Sequence, residues 1–409
     1  MTPYDRGRYS LRRCSHVVSF ERLRPSYESD NPVTSESLEQ IARTRFPTKP
    51  HAPDAFGIGI VGAGFIVRDC HLPAYRDAGF RVVGITSRTR SKAEEVASLH
   101  GIGCVADDLD ALLDHPEVAI LDIAVPPDQQ PELIHRLLKH RACHGHLRGI
   151  LAQKPLALSP RDAWGIIRHC EDVGVELQVN QNMRYDPSVR VAKTLLADGQ
   201  LGSPVLATID MRAVPHWMPW ARDGRSLSTY IMSIHHLDCF RYWLGDPKRV
   251  LASTGPDPRT DFEHRDGLNL YILEFEDGPR ASAWDDVWAG PVKEGAAPAI
   301  SIDWRIEGTD GLATGRIGWP GWPERVPSTL KFSTRTDNGR WHEPKWDTAW
   351  FPDAFAGTMA GLMMALEQGS IPDISGSDNL RTIALCEAVY RAATEHRAVE
   401  PQEILDELR

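Results

Sequence analysis

Cysteine is scarce in this sequence and nowhere paired in a CxxC motif. Cys14, Cys70, Cys104, Cys143, Cys170, Cys239 and Cys386 are the whole set among 409 residues. An odd number without a pattern fits reduced thiols in a cytoplasmic setting and gives no disulfide framework. Long apolar runs are missing as well. Nowhere do about 18 consecutive apolar residues occur, so no spanning helix is expected. Positive charge is not in excess: the net charge is −10 and the pI about 5.9, which argues against nucleic acid or an anionic membrane as partner. No internal repeat of fixed period occurs. A small polar molecule is the partner class that remains.

The length is too great for one simple core, so two domains follow an N-terminal arm. Residues 1–53 are rich in Ser, Arg and Pro and are expected to be irregular. Within them LRRCSHVVSF has the arginine pair of an export signal but runs directly into ERLRP, without the apolar stretch such a signal needs. Residues 54–182 alternate apolar strands (FGIGIVGAG, FRVVGITSR, GIGCV, VAILDIAVPP, GILAQKP, VELQVNQN) with helical stretches such as SKAEEVASLH. That alternation predicts a parallel sheet covered on both faces, an α/β dinucleotide-binding architecture. Residues 183–409 shift to long alternating strands (PVLATIDMRAV, LNLYILEFED, ASAWDDVWA, ISIDWRIEG, LKFSTR), which predict a mostly antiparallel open sheet. Two helices, AFAGTMAGLMMALEQG and SDNLRTIALCEAVYRAATEH, close the chain, the second with a serine or aspartate N-cap.

GIVGAGFIVRDCHLPAY places Gly62 and Gly64, then Phe65 and Ile66, between a strand and a helix. Such a turn lets a pyrophosphate approach the helix N-terminus, although Val67 stands where a third glycine is usual. The second strand ends in Ser87 and Arg88 rather than the acidic residue that would take a ribose 2′-hydroxyl, so NADP is as credible as NAD. The fifth predicted strand ends in Gln153, Lys154 and Pro155. A lysine at that sheet edge can hold a substrate hydroxyl and stabilise charge as its proton leaves. The stretch SIHHLDCFRYWLG offers His235 and His236 on a helix ending at Gly245, and a histidine is suited to general acid/base work.

Taken in order, GIVGAGFIVRDCHLPAY, VVGITSRTRSKAEEVA, AQKPLAL, VNQNMRYDP, LGSPV, SIHHLDCFRYWLG and SGSDNLRTIALCEAVYRAA resemble the glucose-fructose oxidoreductase, inositol dehydrogenase and rhizopine catabolism (Gfo/Idh/MocA) family over about residues 56–400. The resemblance implies a Rossmann domain followed by an α/β domain whose sheet commonly forms dimers or tetramers. It also implies NAD- or NADP-dependent oxidation or reduction of sugars, cyclitols and their derivatives. Its Glu-Lys-Pro turn falls on Gln153, Lys154 and Pro155, giving Lys154 the anchoring role, and its catalytic histidine falls on His235. Three departures stand out. Gln153 replaces the acid, Ile231 occupies the position four before His235 where many members carry aspartate, and the pair Pro126 and Pro127 lacks the histidine that commonly follows.

The substrate-binding residues expected from these readings are Lys154, Asn182, Tyr185, Arg212, His216, Trp217, Trp220, His235 and His236. The group from 212 to 220, with Arg222 and Arg225, forms a loop whose aromatic faces suit a sugar ring and whose arginines suit an anionic group. Arg184 reads as a structural tie. Cys143, His144 and His146 are too crowded for a metal site, and no metal is expected. The function these features imply is oxidation or reduction of a secondary hydroxyl of a carbohydrate-type substrate by a homodimer or homotetramer. Two alternatives are a glycoside hydrolase that oxidises, eliminates and re-reduces with a recycled cofactor, and a non-catalytic nucleotide-binding sensor.

Overall fold

A computed structural model describes residues 50–214, 219–224, 226–276, 278–290, 299–319 and 324–409. Strands β1 (Gly57–Val61), β2 (Val82–Thr86), β3 (Val118–Ile123), β4 (Gly149–Ala152) and β5 (Glu176–Val179) pair in parallel in the order β2-β1-β3-β4-β5. Every residue of β1 and β4 is buried, as expected of strands covered on both faces. Strand order reverses between β1 and β3, which opens a crevice at their carboxyl ends, the usual ligand position of such sheets. The predicted GIGCV strand contracts to one bridge, Ile85 to Val105. Three apolar residues interrupted by Gly103 are too few to sustain a ladder, so Lys154 follows the fourth strand and not the fifth.

Among the described residues a second sheet has eight strands in the order β13-β12-β11-β10-β6-β9-β8-β7. These are β6 (Pro204–Arg212), β7 (Arg249–Gly255), β8 (Leu268–Glu274), β9 (Arg280–Asp286), β10 (Ser301–Gly308), β11 (Gly311–Arg316), β12 (Thr329–Thr334) and β13 (Trp341–His342). All pairs are antiparallel except β6 with β9. Ala207, Ile209, Met211, Tyr271, Leu273, Ala283, Trp304 and Ile306 are buried along one face. The other face is open: Leu251 lies opposite Ile272, and Leu270 opposite Trp284, and all four are exposed.

The predicted closing helices form at Ala354–Gln368 and Gly376–Glu395, the latter capped by the Ser375 hydroxyl, which accepts from the Asp378 amide. The first packs back on the parallel sheet, where Met359, Leu362 and Met363 share a core with Ile58, Ile60, Ile120 and Leu151. Its small residues let it approach closely; a Cβ at Gly357 would collide with the Tyr185 ring. The two sheets are tied further by Arg184, which donates to both Asp238 oxygens at 2.6 and 2.7 Å and to Asp378 at 2.8 Å. Asp238 accepts in addition from the Thr382 hydroxyl at 2.8 Å. A buried carboxylate with a bidentate guanidinium and a hydroxyl partner is well satisfied. Such a tie fixes the histidine helix (Ile234–Leu244) relative to the carboxyl end of β5.

Candidate active site

The glycine turn takes its shape from backbone demands. Gly62 has φ +117°, and a Cβ there would run into the Ala124 carbonyl; only glycine tolerates both conditions. A Cβ on Gly64 would meet nothing within 4 Å, and the chain turns helical from Phe65 and Ile66. Val67 is fully buried, so the residue replacing the third glycine packs into the core and leaves the turn open. At the end of β2, Ser87 is half-buried, and exposed Arg88 has no protein partner among the described residues. Open space before a helix start, with a free guanidinium at the next strand end, fits the phosphates of a dinucleotide. Pro126, half-buried, lies just beyond β3 on the same edge of the sheet.

The Lys154–Pro155 peptide after β4 is cis, and Gln130 clamps it. Its side-chain amide donates to the carbonyls of Gln153, Pro155 and Leu156 at 2.8–3.0 Å, while its oxygen accepts from the Gln153 amide at 3.0 Å. The Lys154 ammonium donates to the Ile231 carbonyl at 2.6 Å. No carboxylate is paired with it among the described residues. Burial therefore prevails and lowers its pKa to about 7; the neighbouring Cys386 thiol is itself kept uncharged by burial.

His235 is buried and sits edge-on to the Trp350 ring, centroids 5.3 Å apart. Its Nδ1 faces the Gln181 amide nitrogen at 3.1 Å. Burial first, then Lys154 and His236, hold its pKa well below the ordinary histidine value. The helix does not start as a plain α-helix; residues Thr229–Ser233 form a π-turn. Asp266 holds that turn from outside, accepting from the amides of Leu227 and Thr229 at 2.7 Å each. The arrangement leaves the Ile231 carbonyl to Lys154, so a main-chain oxygen stands one helical turn before His235, where a carboxylate is usual.

Not every expected residue converges here. His236 points the other way, its Nδ1 2.9 Å from Asp285 on β9, because adjacent helical residues project about 100° apart. Arg212 is not brought to the cleft either. Met211 and Ala213 face inward, so alternation turns Arg212 to the open sheet face, where it donates to Asp210 and to the Trp284 carbonyl. Arg222 stacks over Phe262 at 4.6 Å, and Trp220 packs partly buried on the core. His216, Trp217 and Arg225 lie outside the described residues. Asn182 is buried and accepts from the Trp350 indole at 3.2 Å, while Tyr185 packs on the glycines of the Ala354–Gln368 helix and under Arg190. Cys143 donates to the Leu137 carbonyl and His146 bonds the Leu113 carbonyl. Among the described residues no group of three His, Cys, Asp or Glu could hold a metal.

Several contributors carry little signal in the sequence. Trp350 borders His235 and in turn meets Trp319 and Phe351, forming an aromatic wall. A stronger hint was available in VAILDI, where Asp122 interrupts an apolar strand, since a charge buried in a strand needs a partner. That partner is His71, whose Nδ1 lies 2.6 Å from Asp122, with the Tyr75 hydroxyl donating to the same oxygen. His71 Nε2 faces two amide nitrogens, Gln153 at 3.3 Å and Asn180 at 3.0 Å. The Gln153 amide is oriented independently, because its Oε1 accepts from the Lys154 amide; Asn180 Oδ1 lies 2.9 Å from the Thr358 hydroxyl, which also reaches the Phe355 carbonyl. The Gln153 donor requires a lone pair at Nε2, which leaves the ring proton on Nδ1 toward Asp122. An amide at position 153 suits that state, whereas a carboxylate would not. Gln153→Glu should set an acceptor against the lone pair of His71 Nε2 and lower the melting temperature relative to the parent; an unchanged melting temperature would refute the assignment.

Comparison with known proteins agrees with this geometry. Residues 56–181 match a family model described as an oxidoreductase family, NAD-binding Rossmann fold, and residues 193–400 match the oxidoreductase family, C-terminal alpha/beta domain. D-apiose dehydrogenase of Paraburkholderia graminis is 27% identical over 83% of this chain and 88% of its own. Inositol 2-dehydrogenase of Rhizobium meliloti is 24% identical over 83% of this chain and 98% of its own. Among solved structures, an oxidoreductase from Agrobacterium radiobacter in complex with NAD+, L-tartaric acid and magnesium has a TM-score of 0.71 at 24% identity, covering 86% of this chain and 99% of that one. An aldose-aldose oxidoreductase from Caulobacter crescentus complexed with glycerol has a TM-score of 0.71 at 22% identity, covering 84% and 99%. At these identities the structures establish the shared fold.

Proposed function

The chain belongs to the Gfo/Idh/MocA oxidoreductase family, and from that premise we propose that it oxidises or reduces a secondary hydroxyl or ketone of a sugar, glycoside or cyclitol. The observation that carries the reading is the pairing of Lys154 with the histidine helix at the carboxyl edge of the parallel sheet, beside the glycine turn. Relatives named D-apiose dehydrogenase, inositol 2-dehydrogenase and 1,5-anhydro-D-fructose reductase support a polyhydroxylated substrate. A bound nicotinamide supplies the hydride acceptor or donor. The chain itself supplies the rest: Gly62 and Gly64 make room for the pyrophosphate, Lys154 and His235 meet the reacting oxygen, and Trp350 closes one side against water.

An ammonium or amine and an imidazole around one oxygen orient the substrate and stabilise charge as its proton moves. Such acid/base participation typically contributes 10²–10⁴-fold. Lys154→Ala should therefore lower turnover about 10²–10⁴-fold in a panel of sugars, cyclitols and glycosides, while nucleotide affinity stays within about twofold. Turnover within a few-fold of the parent would remove Lys154 from the site. Release of an aglycone without net reduced nucleotide would instead support oxidation, elimination and re-reduction.

Arg88, free at the end of β2, supports NADP as an accepted cofactor. Hydrogen bonds to a charged group contribute about 1.5–3 kcal/mol, so losing this one should weaken NADP binding roughly tenfold or more. Arg88→Ala should leave NAD binding nearly unchanged in a fluorescence titration. Equal effects on both nucleotides would show that Arg88 does not read the 2′-phosphate.

A further inference from the structure

The hydrogen bonds around His235 decide which of its nitrogens carries the proton. Gln181 is fully buried, and its amide nitrogen donates to the Ile234 carbonyl at 3.1 Å as well as facing His235 Nδ1 at 3.1 Å. Turning that amide over would set its oxygen against the Ile234 carbonyl and lose a hydrogen bond, so the nitrogen is held where it is. A donor at Nδ1 requires a lone pair there. Neutral His235 therefore bears its proton on Nε2, which has no protein partner among the described residues. A carboxylate one turn earlier would reverse this by accepting from Nδ1, but Ile231 offers no such group. A histidine in this state donates a hydrogen bond and has no lone pair at Nε2 with which to take a proton.

We propose that Gln181 fixes His235 as a hydrogen-bond donor to the substrate oxygen and thereby leaves Lys154 Nζ to exchange the substrate's proton. The proposal rests on the oxidoreductase reading above and exchanges the roles that family resemblance assigns to these two residues. In oxidation, the substrate O–H bond breaks and an N–H bond forms on the neutral amine of Lys154. The carbon-bound hydride leaves for the nicotinamide of NAD or NADP, and the carbonyl forms while His235 Nε2–H remains bonded to its oxygen. Reduction runs the same steps backwards. Lys154 is suited to both states: its one partner, the Ile231 carbonyl, accepts equally from an amine or an ammonium, and burial lowers its pKa to about 7. The titratable groups facing the pair are Cys386 beside Lys154, and Lys154 and His236 beside His235.

Gln181 is on this account a positioning residue, and its signature is spectroscopic. Nitrogen-15 spectra of histidine side chains in the NAD-loaded protein, assigned by comparison with His235→Asn, should show His235 protonated at Nε2 and bare at Nδ1. Gln181→Glu should move the proton to Nδ1. Protonation at Nδ1 in the parent protein overturns the proposal, and needs no active substrate to be seen. With a sugar that the parent turns over, small primary amines should restore part of the rate lost in Lys154→Ala, in proportion to their basicity. Rescue independent of basicity, or none, would make Lys154 an anchor alone. Absence of turnover with every sugar would count against the oxidoreductase reading and leave the tautomer result standing.

Discussion

The site depends on one contact, the Lys154 ammonium donating to the Ile231 carbonyl with no carboxylate paired to it among the described residues. Withdrawing an ammonium from water without an opposite charge is costly, and proteins usually resolve the cost by letting the group lose its proton. Here the surroundings enforce that resolution. Gln130 holds the turn that carries Lys154 through four hydrogen bonds, and Asp266 holds the turn that presents the Ile231 carbonyl. Between pH 7 and the unfolded lysine value the unfolded chain binds the extra proton, so this residue makes the fold less stable as pH falls through that range. The fold accepts that cost at a place where a reactive amine is useful.

Around this contact, charge has been replaced by amides and main-chain oxygens. Gln153 stands for an acid before the lysine, Ile231 for an acid before the histidine, and Gln181 occupies the Nδ1 side of His235. Each change fixes a proton rather than merely removing a charge. His71 Nε2 accepts from Gln153, and His235 is held with a bare Nδ1 by Gln181. The buried carboxylates of the same region, Asp122, Asp238, Asp266 and Asp285, each have cationic or donating partners. The cleft is thus less acidic than the family pattern suggests.

Much of this was legible in the sequence because it rests on local rules. The glycine turn, the lysine-proline turn and the histidine helix with its stop at Gly245 each follow from backbone demands on short stretches, and their order carried the resemblance. The structure adds relations that no local rule supplies. Arg212 and His236 have suitable chemistry but the wrong phase, since strand alternation turns one outward and helical geometry turns the other toward Asp285. Trp350 and Gln181 reach His235 from 115 and 54 positions away, and nothing in their own neighbourhoods marks them. Strands β7 and β11 also escaped the reading; RVLASTG and GLATGR are weakly apolar, and only pairing with β8, β10 and β12 makes them strands.

The central claim is that the lysine after β4 lives in a site that favours its neutral form. Its titration can be followed by carbon-13 NMR of the reductively methylated, NAD-loaded protein, with Lys154→Arg identifying the resonance. A midpoint of about 7 agrees with an ammonium held by a carbonyl alone. A midpoint near the ordinary lysine value of about 10.4 would contradict the account, because it would mean that solvent or an anion satisfies the charge.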